Sequence, residues 1–272
     1  MIDKGIVKKS FSKAALTYDT SATLQKEVVV KLVSFIEALR GEPVCHGVHI
    51  QPDGALYPDK ELILDIGCGT GSLMEEAGKT FSRSVFFGCD IAFPMLLRAR
   101  TKLGKGFNPA AADCEYLPFR DASFDVAASS LTYQWADISV AFKEASRVLK
   151  DGGLFAFSTL GPATLNELRA CLRSPMDIGF RDRCAVLALL KNAGFELSAL
   201  ETHIIVKEYN DIWGLIRNLK NIGAAPPVDV HDNCLSKGAL LKEASRLYSE
   251  RFGRDGYITA TYEVILAAAR KI

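Results

Sequence analysis

The sequence lacks a hydrophobic run of the length that a membrane-spanning helix requires, about 20 apolar residues. The first residues, MIDKGIVKKSFSKAALTYDT, also lack the continuous apolar stretch of a secretory signal, because charged side chains are interspersed along them. From these two absences we expect a cytoplasmic protein without a membrane span.

Clustered metal ligands and catalytic histidines are missing as well. The seven cysteines are scattered and none forms a C-x-x-C pair, so we expect free thiols and no metal site. None of the four histidines is placed to suggest a His–Asp pair or a Ser-His-Asp triad. A formal net charge of +1 provides no global field for nucleic acid, so bulk electrostatic binding to DNA or RNA is not expected.

Short apolar runs alternate with helical patterns along the middle of the chain. The predicted strands are 61–66, 84–89, 107–112, 123–129 and 153–159, and the predicted helices between them are 70–80, 93–103 and 137–149. Strands that alternate with helices pair in parallel, with the helices covering both faces of the sheet. We therefore expect a single α/β domain over 1–272.

The flanking regions add helices and two further strands. The predicted elements are a helix at 20–40, a proline-containing surface loop at 41–60, a helix at 182–193 and strands at 195–209 and 257–270. We expect residues 1–40 to form an amino-terminal helical cover and 60–160 to form the cofactor-binding core. Residues 209–256 are predicted to be a helical insertion over the active site.

Three glycines follow the first predicted strand of this core, in the segment DIGCGTGS. Gly67, Gly69 and Gly71 permit unusual backbone angles and let a ligand approach the backbone closely. No Lys-Ser/Thr pair follows, which excludes a P-loop, and Ser72 stands where a dinucleotide fingerprint needs glycine. The carboxylate of Asp65, just before the glycines, repels phosphate and suits a cationic ligand. The segment therefore predicts a site for a positively charged nucleoside.

Two further acids follow the next strands. Asp90 closes the second strand, where an acid commonly hydrogen-bonds both ribose hydroxyls. Asp113 follows the third strand, and at that position its carboxylate can accept a hydrogen bond from an adenine amino group. The alternative for both residues is a helix N-cap, a position that favours aspartate.

These segments together resemble the class I S-adenosylmethionine-dependent methyltransferases, through LDIGCGTG, GCDIAFPML, AADCEYLPFRDASFDVAASS and EASRVLKDGGLFAFST. The resemblance implies a Rossmann-like, mostly parallel sheet of seven strands flanked by helices, with the last strand antiparallel. It also implies S-adenosyl-L-methionine as cofactor. The residues implied to contact it are Asp65, Gly67, Cys68, Gly69 and Gly71 at the methionine portion, Asp90 and Ile91 at the ribose, Asp113 and Cys114 at the adenine, and Ser129 or Ser130 beneath the sulfonium.

A narrower resemblance covers almost the whole chain. FSKAALTYDTSATLQKEV, SSLTYQWADI, FAFSTLGPATLNELRA and IRNLKNIGA are similar to the methyltransferases that act on malonyl-acyl carrier protein at the start of biotin synthesis. This implies methyl esterification of the free malonyl carboxyl, with the acidic carrier protein as partner. The alternatives are a methyltransferase for a small molecule such as a quinone precursor and a non-catalytic, methyltransferase-like binding module. Ser72 and Asp65 argue against an NAD-dependent oxidoreductase.

A carboxylate nucleophile is already ionised near neutral pH and needs no general base, but it needs a cation to hold it. Arg217 and Lys220, spaced i, i+3 on one helix, are the candidates, with a solvated helix face as the alternative. Tyr18 is expected over the cofactor or, alternatively, as a packing residue. Gln134 and Trp135 follow the fourth strand and are expected to line the same pocket, although Trp135 can equally be core.

The acidic partner requires a basic docking surface. Residues 169–191 carry a local excess of three positive charges, from arginines and one lysine against two aspartates. This stretch is our candidate for that surface, with an ordinary solvated face as the alternative.

Overall fold

The structure, a computed structural model, describes residues 3–40, 60–172, 179–224 and 237–272. The loop predicted over 41–60 therefore lies outside the described residues, apart from its last position. None of the helices in the described ranges combines the length and the apolar character that a membrane crossing needs.

Five parallel strands form the body of the sheet, in the spatial order β3-β2-β1-β4-β5. Their bounds are β1 Leu62–Ile66, β2 Val85–Asp90, β3 Phe107–Ala111, β4 Phe124–Ser130 and β5 Leu149–Leu160. β1 is central and every one of its residues is buried, as expected for a parallel strand covered on both faces. The carboxyl ends of β1 to β4 consequently meet at one edge of the sheet.

Two long strands complete the sheet on the β5 side. β6 spans Phe195–Tyr209, and β8 spans Tyr257–Lys271 and lies between β5 and β6, antiparallel to both. The predicted seven-stranded sheet with an antiparallel last strand is thus confirmed. One element was not predicted: a two-residue strand, β7 at Gly253–Arg254, pairs with the start of β8.

Helices flank the sheet and cover its carboxyl edge. Those in the described residues are α1 Lys4–Ala14, α2 Tyr18–Ser21, α3 Thr23–Arg40, α4 Ser72–Thr80, α5 Phe93–Leu103, α6 Ile138–Val148, α7 Asn166–Leu172, α8 Arg183–Asn192, α9 Ile212–Asn221 and α10 Lys237–Phe252. The helix predicted over 20–40 is in fact two helices, because Ala22 leaves the helical conformation (ψ 50°) between α2 and α3.

The core has two layers, one on each face of the sheet. Alternate residues of β1 divide between them: Ile63 packs on the side of α3, while Leu62 and Leu64 pack on the side of α6 and α8. α9 lies beside the amino-terminal helices, since the Thr17 hydroxyl donates to the Asn221 carbonyl at 2.9 Å, whereas α10 packs against α7.

Candidate functional site

A cavity that is open to solvent lies at the carboxyl edge of the parallel strands, and the space in it and at its mouth amounts to about 620 Å³. The glycine loop after β1, the ends of β2, β3 and β4, and the amino-terminal helices together form its wall. The predicted site residues on that wall are Tyr18, Gly67, Gly69, Asp90, Ile91, Asp113, Cys114, Ser130 and Trp135.

The glycine loop has positive φ angles at both residues that reach the cavity. Gly67 (φ +73°) passes so close to Thr132 that a Cβ would lie 2.3 Å from its Oγ1. At Gly69 (φ +53°) a Cβ would meet no atom within 4 Å. Gly67 is therefore required by a neighbouring loop as well as by its backbone angle, whereas Gly69 leaves open space against the cavity wall.

Asp65 lies beneath this loop, is 1% exposed and is not among the residues that line the cavity. Neither of its carboxylate oxygens has a hydrogen-bond partner in the described structure. Burial, and secondly the nearby charge of Asp90, raise the pKa of Asp65 well above its ordinary value. A buried carboxyl without donors is costly, so the chemistry of this position fits a ligand that brings an ammonium group to it.

Asp90 is held by two backbone donors. The Gly69 N–H donates to its Oδ2 at 2.9 Å and the Ala92 N–H to its Oδ1 at 2.7 Å. Burial raises the pKa of Asp90 even though these two hydrogen bonds act in the opposite direction. The predicted alternative of a helix N-cap is wrong for Asp90, because the N-cap of α5 is Ala92. The carboxylate instead joins the glycine loop to the end of β2, with its remaining lone pairs available at the cavity.

Asp113 is paired with a lysine from the first turn of α1. Lys4 Nζ lies 3.0 Å from Asp113 Oδ1 and 2.6 Å from Glu115 Oε1. Burial lowers the pKa of Lys4, but its hydrogen bonds and ion pairs with the two acids outweigh burial and raise it overall. Asp113 is followed by a turn, not a helix, so the N-cap alternative is wrong here too. Sequence reasoning missed Lys4, since a partner 109 residues away leaves no local signal.

Tyr18 begins α2 and lines the cavity. Burial, and then the charges of Asp90, Asp19 and Asp65, raise the pKa of its phenol well above the ordinary value. The phenol is therefore neutral at physiological pH and is not poised to act as a base.

Several predicted residues lie near the cavity but not on its wall. Gln134 is buried and its Nε2 donates to the Leu131 carbonyl at 2.7 Å, because the 3₁₀ turn at 133–135 directs it into the protein. Ser129 is buried and donates to the Ile66 carbonyl at 2.7 Å, since neighbouring strand residues face opposite ways and Ser130 takes the cavity side. Cys68 and Gly71 belong to the same loop, but they face the side chains of the core.

The two predicted substrate cations lie on α9. Arg217 and Lys220 are exposed, and within the described ranges neither forms an ion pair. The opposite face of α9 is buried through Leu215 and Leu219, which fixes the basic face toward solvent. The structure does not bring these cations onto the wall of the cavity.

Some of the wall residues were not predicted as site residues from the sequence. Val7 and Phe11 join Lys4 on one face of α1, and Thr132 and Leu131 follow β4. The ring of Phe11 contacts Trp135 edge-on, with centroids 5.7 Å apart. The spacing of positions 4, 7 and 11 is the signal that could have identified this face of α1.

The sequence and the fold have counterparts among known proteins. A family model described as a methyltransferase domain matches residues 64–157. Malonyl-[acyl-carrier protein] O-methyltransferase of Methylovorus sp. (strain MP688) is 35% identical, with 100% of this chain and 90% of the relative covered. The protein of the same name from Geobacter sulfurreducens is 34% identical, with both chains covered completely.

A solved structure with the same fold is geranyl diphosphate C-methyltransferase from Streptomyces coelicolor A3(2), in complex with Mg²⁺, geranyl diphosphate and S-adenosyl-L-homocysteine. It has a TM-score of 0.52 and 15% sequence identity, and the match covers 88% of this chain and 78% of that one. At this identity the likeness shows the fold alone, and it confirms the predicted methyltransferase architecture. With relatives at 34% and 35% identity over its full length, the chain belongs to the family of malonyl-[acyl-carrier protein] O-methyltransferases.

Proposed function

We propose that this protein transfers a methyl group from S-adenosyl-L-methionine to the free carboxyl of malonyl-acyl carrier protein, forming the methyl ester at the start of biotin synthesis. The observation that carries the proposal is the full-length relationship to proteins named for this reaction. Two features support it independently: the glycine loop on the cavity wall, and the buried, unpartnered carboxyl of Asp65 beneath that loop.

The cavity residues suit a nucleoside with a cationic amino-acid tail. S-adenosyl-L-methionine supplies an electrophilic methyl group on a positively charged sulfur. Asp65 would hold its ammonium group, since both oxygens of this buried carboxyl are without donors. Asp90, whose carboxylate two backbone N–H groups hold in place, would accept from the ribose hydroxyls. Asp113 and Cys114, both on the cavity wall, would flank the adenine, and Ser130, at the end of β4, would lie near the sulfonium.

For this reaction the protein has to position the reactants, and it does not need to move a proton. A malonyl carboxyl is ionised near pH 7, so its oxygen attacks without a base. The neutral phenol of Tyr18 agrees with this role, because it covers the cavity without competing as a nucleophile. Holding the attacking oxygen, the methyl carbon and the sulfur in line supplies on the order of several kcal/mol of the barrier reduction.

For substrate binding we propose exposed basic residues that lie outside the cavity wall. Arg217 and Lys220 remain our candidates for the malonyl carboxylate, since both side chains are exposed and without an ion pair to any described residue. Gln134 acts indirectly, by fixing the Leu131 carbonyl beside the cavity. For the carrier protein we propose the basic stretch 169–191, of which 173–178 lies outside the described residues.

Mass spectrometry of the carrier protein tests the proposal. Malonyl-carrier protein incubated with the enzyme and S-adenosyl-L-methionine should gain the mass of one CH₂ unit, and less efficient transfer should occur to malonyl-CoA. Acetyl-carrier protein, which lacks the free carboxyl, is the matched control and should not change. Methylation of a phenolic quinone precursor in place of malonyl-carrier protein, or cofactor binding without any transfer, would favour one of the two alternatives instead.

A further inference from the structure

A buried threonine of the glycine loop is joined to the amino-terminal helices. Thr70 is 1% exposed, and its hydroxyl donates to Asp19 Oδ1 at 2.5 Å. Lys102 Nζ approaches the same oxygen, at 3.3 Å. The three residues come from the glycine loop, α2 and the last turn of α5, so one carboxylate oxygen connects three separate elements.

This connection lies next to a residue of the cavity wall. Asp19 directly follows Tyr18, and the helix that carries both, α2, has only four residues. So short a helix is not stable by itself and depends on outside contacts for its position. The end of α5 is in turn fixed against the loop, because Leu103 packs where a Cβ on Gly71 would collide with it at 2.7 Å. The loop and α5 thus provide a firm base for Asp19.

Charge adds a second reason for the arrangement. Tyr18 is close enough to Asp19, Asp65 and Asp90 for all three carboxyls to act on its phenol. Lys102 offsets the charge of Asp19, and its ammonium group also lies 3.5 Å from a carboxylate oxygen of Glu75. Both partners are largely shielded from solvent, with side-chain exposures of 23% for Lys102 and 26% for Asp19, so the ion pair is screened less than a surface pair.

We propose that Asp19 is a positioning residue, which holds Tyr18 over the cavity by accepting the Thr70 hydroxyl. Closure of the amino-terminal segment, defined as α1 and α2, and occupation of the glycine loop therefore favour each other. The cofactor contacts the loop that anchors the segment, and the segment covers the cofactor. This inference rests on the proposed function, since it takes the ligand of the cavity to be S-adenosyl-L-methionine.

Calorimetry with S-adenosyl-L-homocysteine tests the coupling. Thr70→Val keeps the shape of the side chain and removes the hydroxyl, and Thr70→Ser keeps the hydroxyl. We expect Thr70→Val and Asp19→Asn to weaken binding about tenfold, the effect of losing part of a hydrogen bond to a carboxylate. Thr70→Ser should bind within about twofold of the wild type. The double variant should bind no more weakly than the weaker single variant, because the two residues act through one contact.

A measurement on the free protein separates positioning from general stability. Trp135 contacts Phe11 of the amino-terminal segment, and Trp213 is the one other tryptophan of the sequence. In a Trp213→Phe background, acrylamide should quench Trp135 more strongly in Thr70→Val than in Thr70→Ser. Equal quenching in both, with a lowered melting temperature alone, would assign Thr70 to the fold and overturn the inference.

A second lysine, which also forms an ion pair but lies away from the cavity, serves as the control for Lys102. Lys207 forms an ion pair with Glu27 at 2.8 Å, has a side-chain exposure of 25%, and does not line the cavity. Lys102→Met should weaken S-adenosyl-L-homocysteine binding, whereas Lys207→Met should leave it unchanged. If the wild type fails to bind this ligand, the proposed function fails. If the wild type binds and the Thr70, Asp19 and Lys102 variants bind equally well, only the present inference fails.

Discussion

Replacing Asp65 with asparagine should have opposite effects on the stability of the free protein and on its affinity for the cofactor. Asparagine has nearly the same shape as aspartate but cannot ionise. In the free protein it removes a buried carboxyl whose two oxygens have no hydrogen-bond partner in the described structure. In the complex it removes the negative charge that we assign to the ammonium group of S-adenosyl-L-methionine.

The size of each effect follows from this environment. A buried acceptor without a partner costs about 1–3 kcal/mol, and asparagine still buries a polar head, so we expect a gain of about 1 kcal/mol in the free energy of unfolding. That gain corresponds to a rise in melting temperature of about 2–4 °C for a protein of this size class. Loss of a charged hydrogen-bonding partner costs about 1.5–3 kcal/mol, which weakens cofactor binding about 10- to 100-fold.

The pH dependence provides a sharper test. The folded-state pKa of Asp65 is raised above the ordinary value of 3.8, so the folded state binds its proton more tightly than the unfolded state. The contribution of Asp65 to stability therefore falls as the pH rises from 3.8 through the raised folded-state pKa. In Asp65→Asn, residue 65 does not titrate, so this decrease of stability with rising pH is absent. The melting temperatures of variant and wild type should differ least at the acidic end and most above the folded-state pKa.

Two measurements test the predicted effects of Asp65→Asn. Scanning calorimetry across pH gives the difference in stability, and titration with S-adenosyl-L-homocysteine gives the affinity. A variant that is less stable than the wild type at neutral pH would show that Asp65 has a stabilising partner. A variant with unchanged affinity would show that the ligand ammonium is held elsewhere.

Three further results are expected. Gly67→Ala should lower the melting temperature strongly, because its Cβ would collide with a neighbouring side chain at 2.3 Å in addition to the strain of a positive φ. Gly69→Ala, which has open space around its Cβ and adds only the strain of its positive φ, should lower the melting temperature less and should also weaken cofactor binding. Lys4→Met should lower the free energy of unfolding by about 1 kcal/mol or less, because the ion pairs of Lys4 are partly exposed. Because these ion pairs join α1 to the loop after β3, their loss should increase amide hydrogen exchange in α1. Arg217→Ala and Lys220→Ala should raise KM for malonyl-carrier protein without changing cofactor affinity or melting temperature, as both side chains are exposed.

For each of these three predictions, one outcome would contradict the reasoning. Equal loss of stability in the two glycine variants would mean that backbone strain, not the collision, controls the loop. Unchanged exchange in α1 after loss of the lysine would show that apolar packing alone holds the helix. Unchanged KM for malonyl-carrier protein in both α9 variants would show that these two cations belong to a solvated surface and do not bind the substrate.

The elements predicted best are those whose local pattern is continuous. α5 and β6 have the predicted bounds, 93–103 and 195–209. β5 instead begins at Leu149, four residues before the prediction. The segment KDGG signals a turn, but Leu149 pairs with Phe124 across a register shift, so pairing within the sheet overrides the local signal.

The candidate site could be predicted where it is built from one continuous motif. The glycine loop and Asp90 follow directly from a strand, a turn and a helix in sequence, and both reach the cavity. The contact between Lys4 and Asp113 spans 109 positions, so no local pattern contains it. Gln134 was assigned to the pocket from its position after β4, but a 3₁₀ turn, which sequence alone did not reveal, directs it inward.

The position of β8 bears on how the protein is made. β8 follows every other described strand in the sequence, yet it lies inside the sheet between β5 and β6. During synthesis β5 therefore has an open edge and β6 has no neighbour in the sheet until β8 leaves the ribosome. Unpaired edges of this kind attract other chains, so the nascent protein is most prone to aggregate just before its last strand emerges.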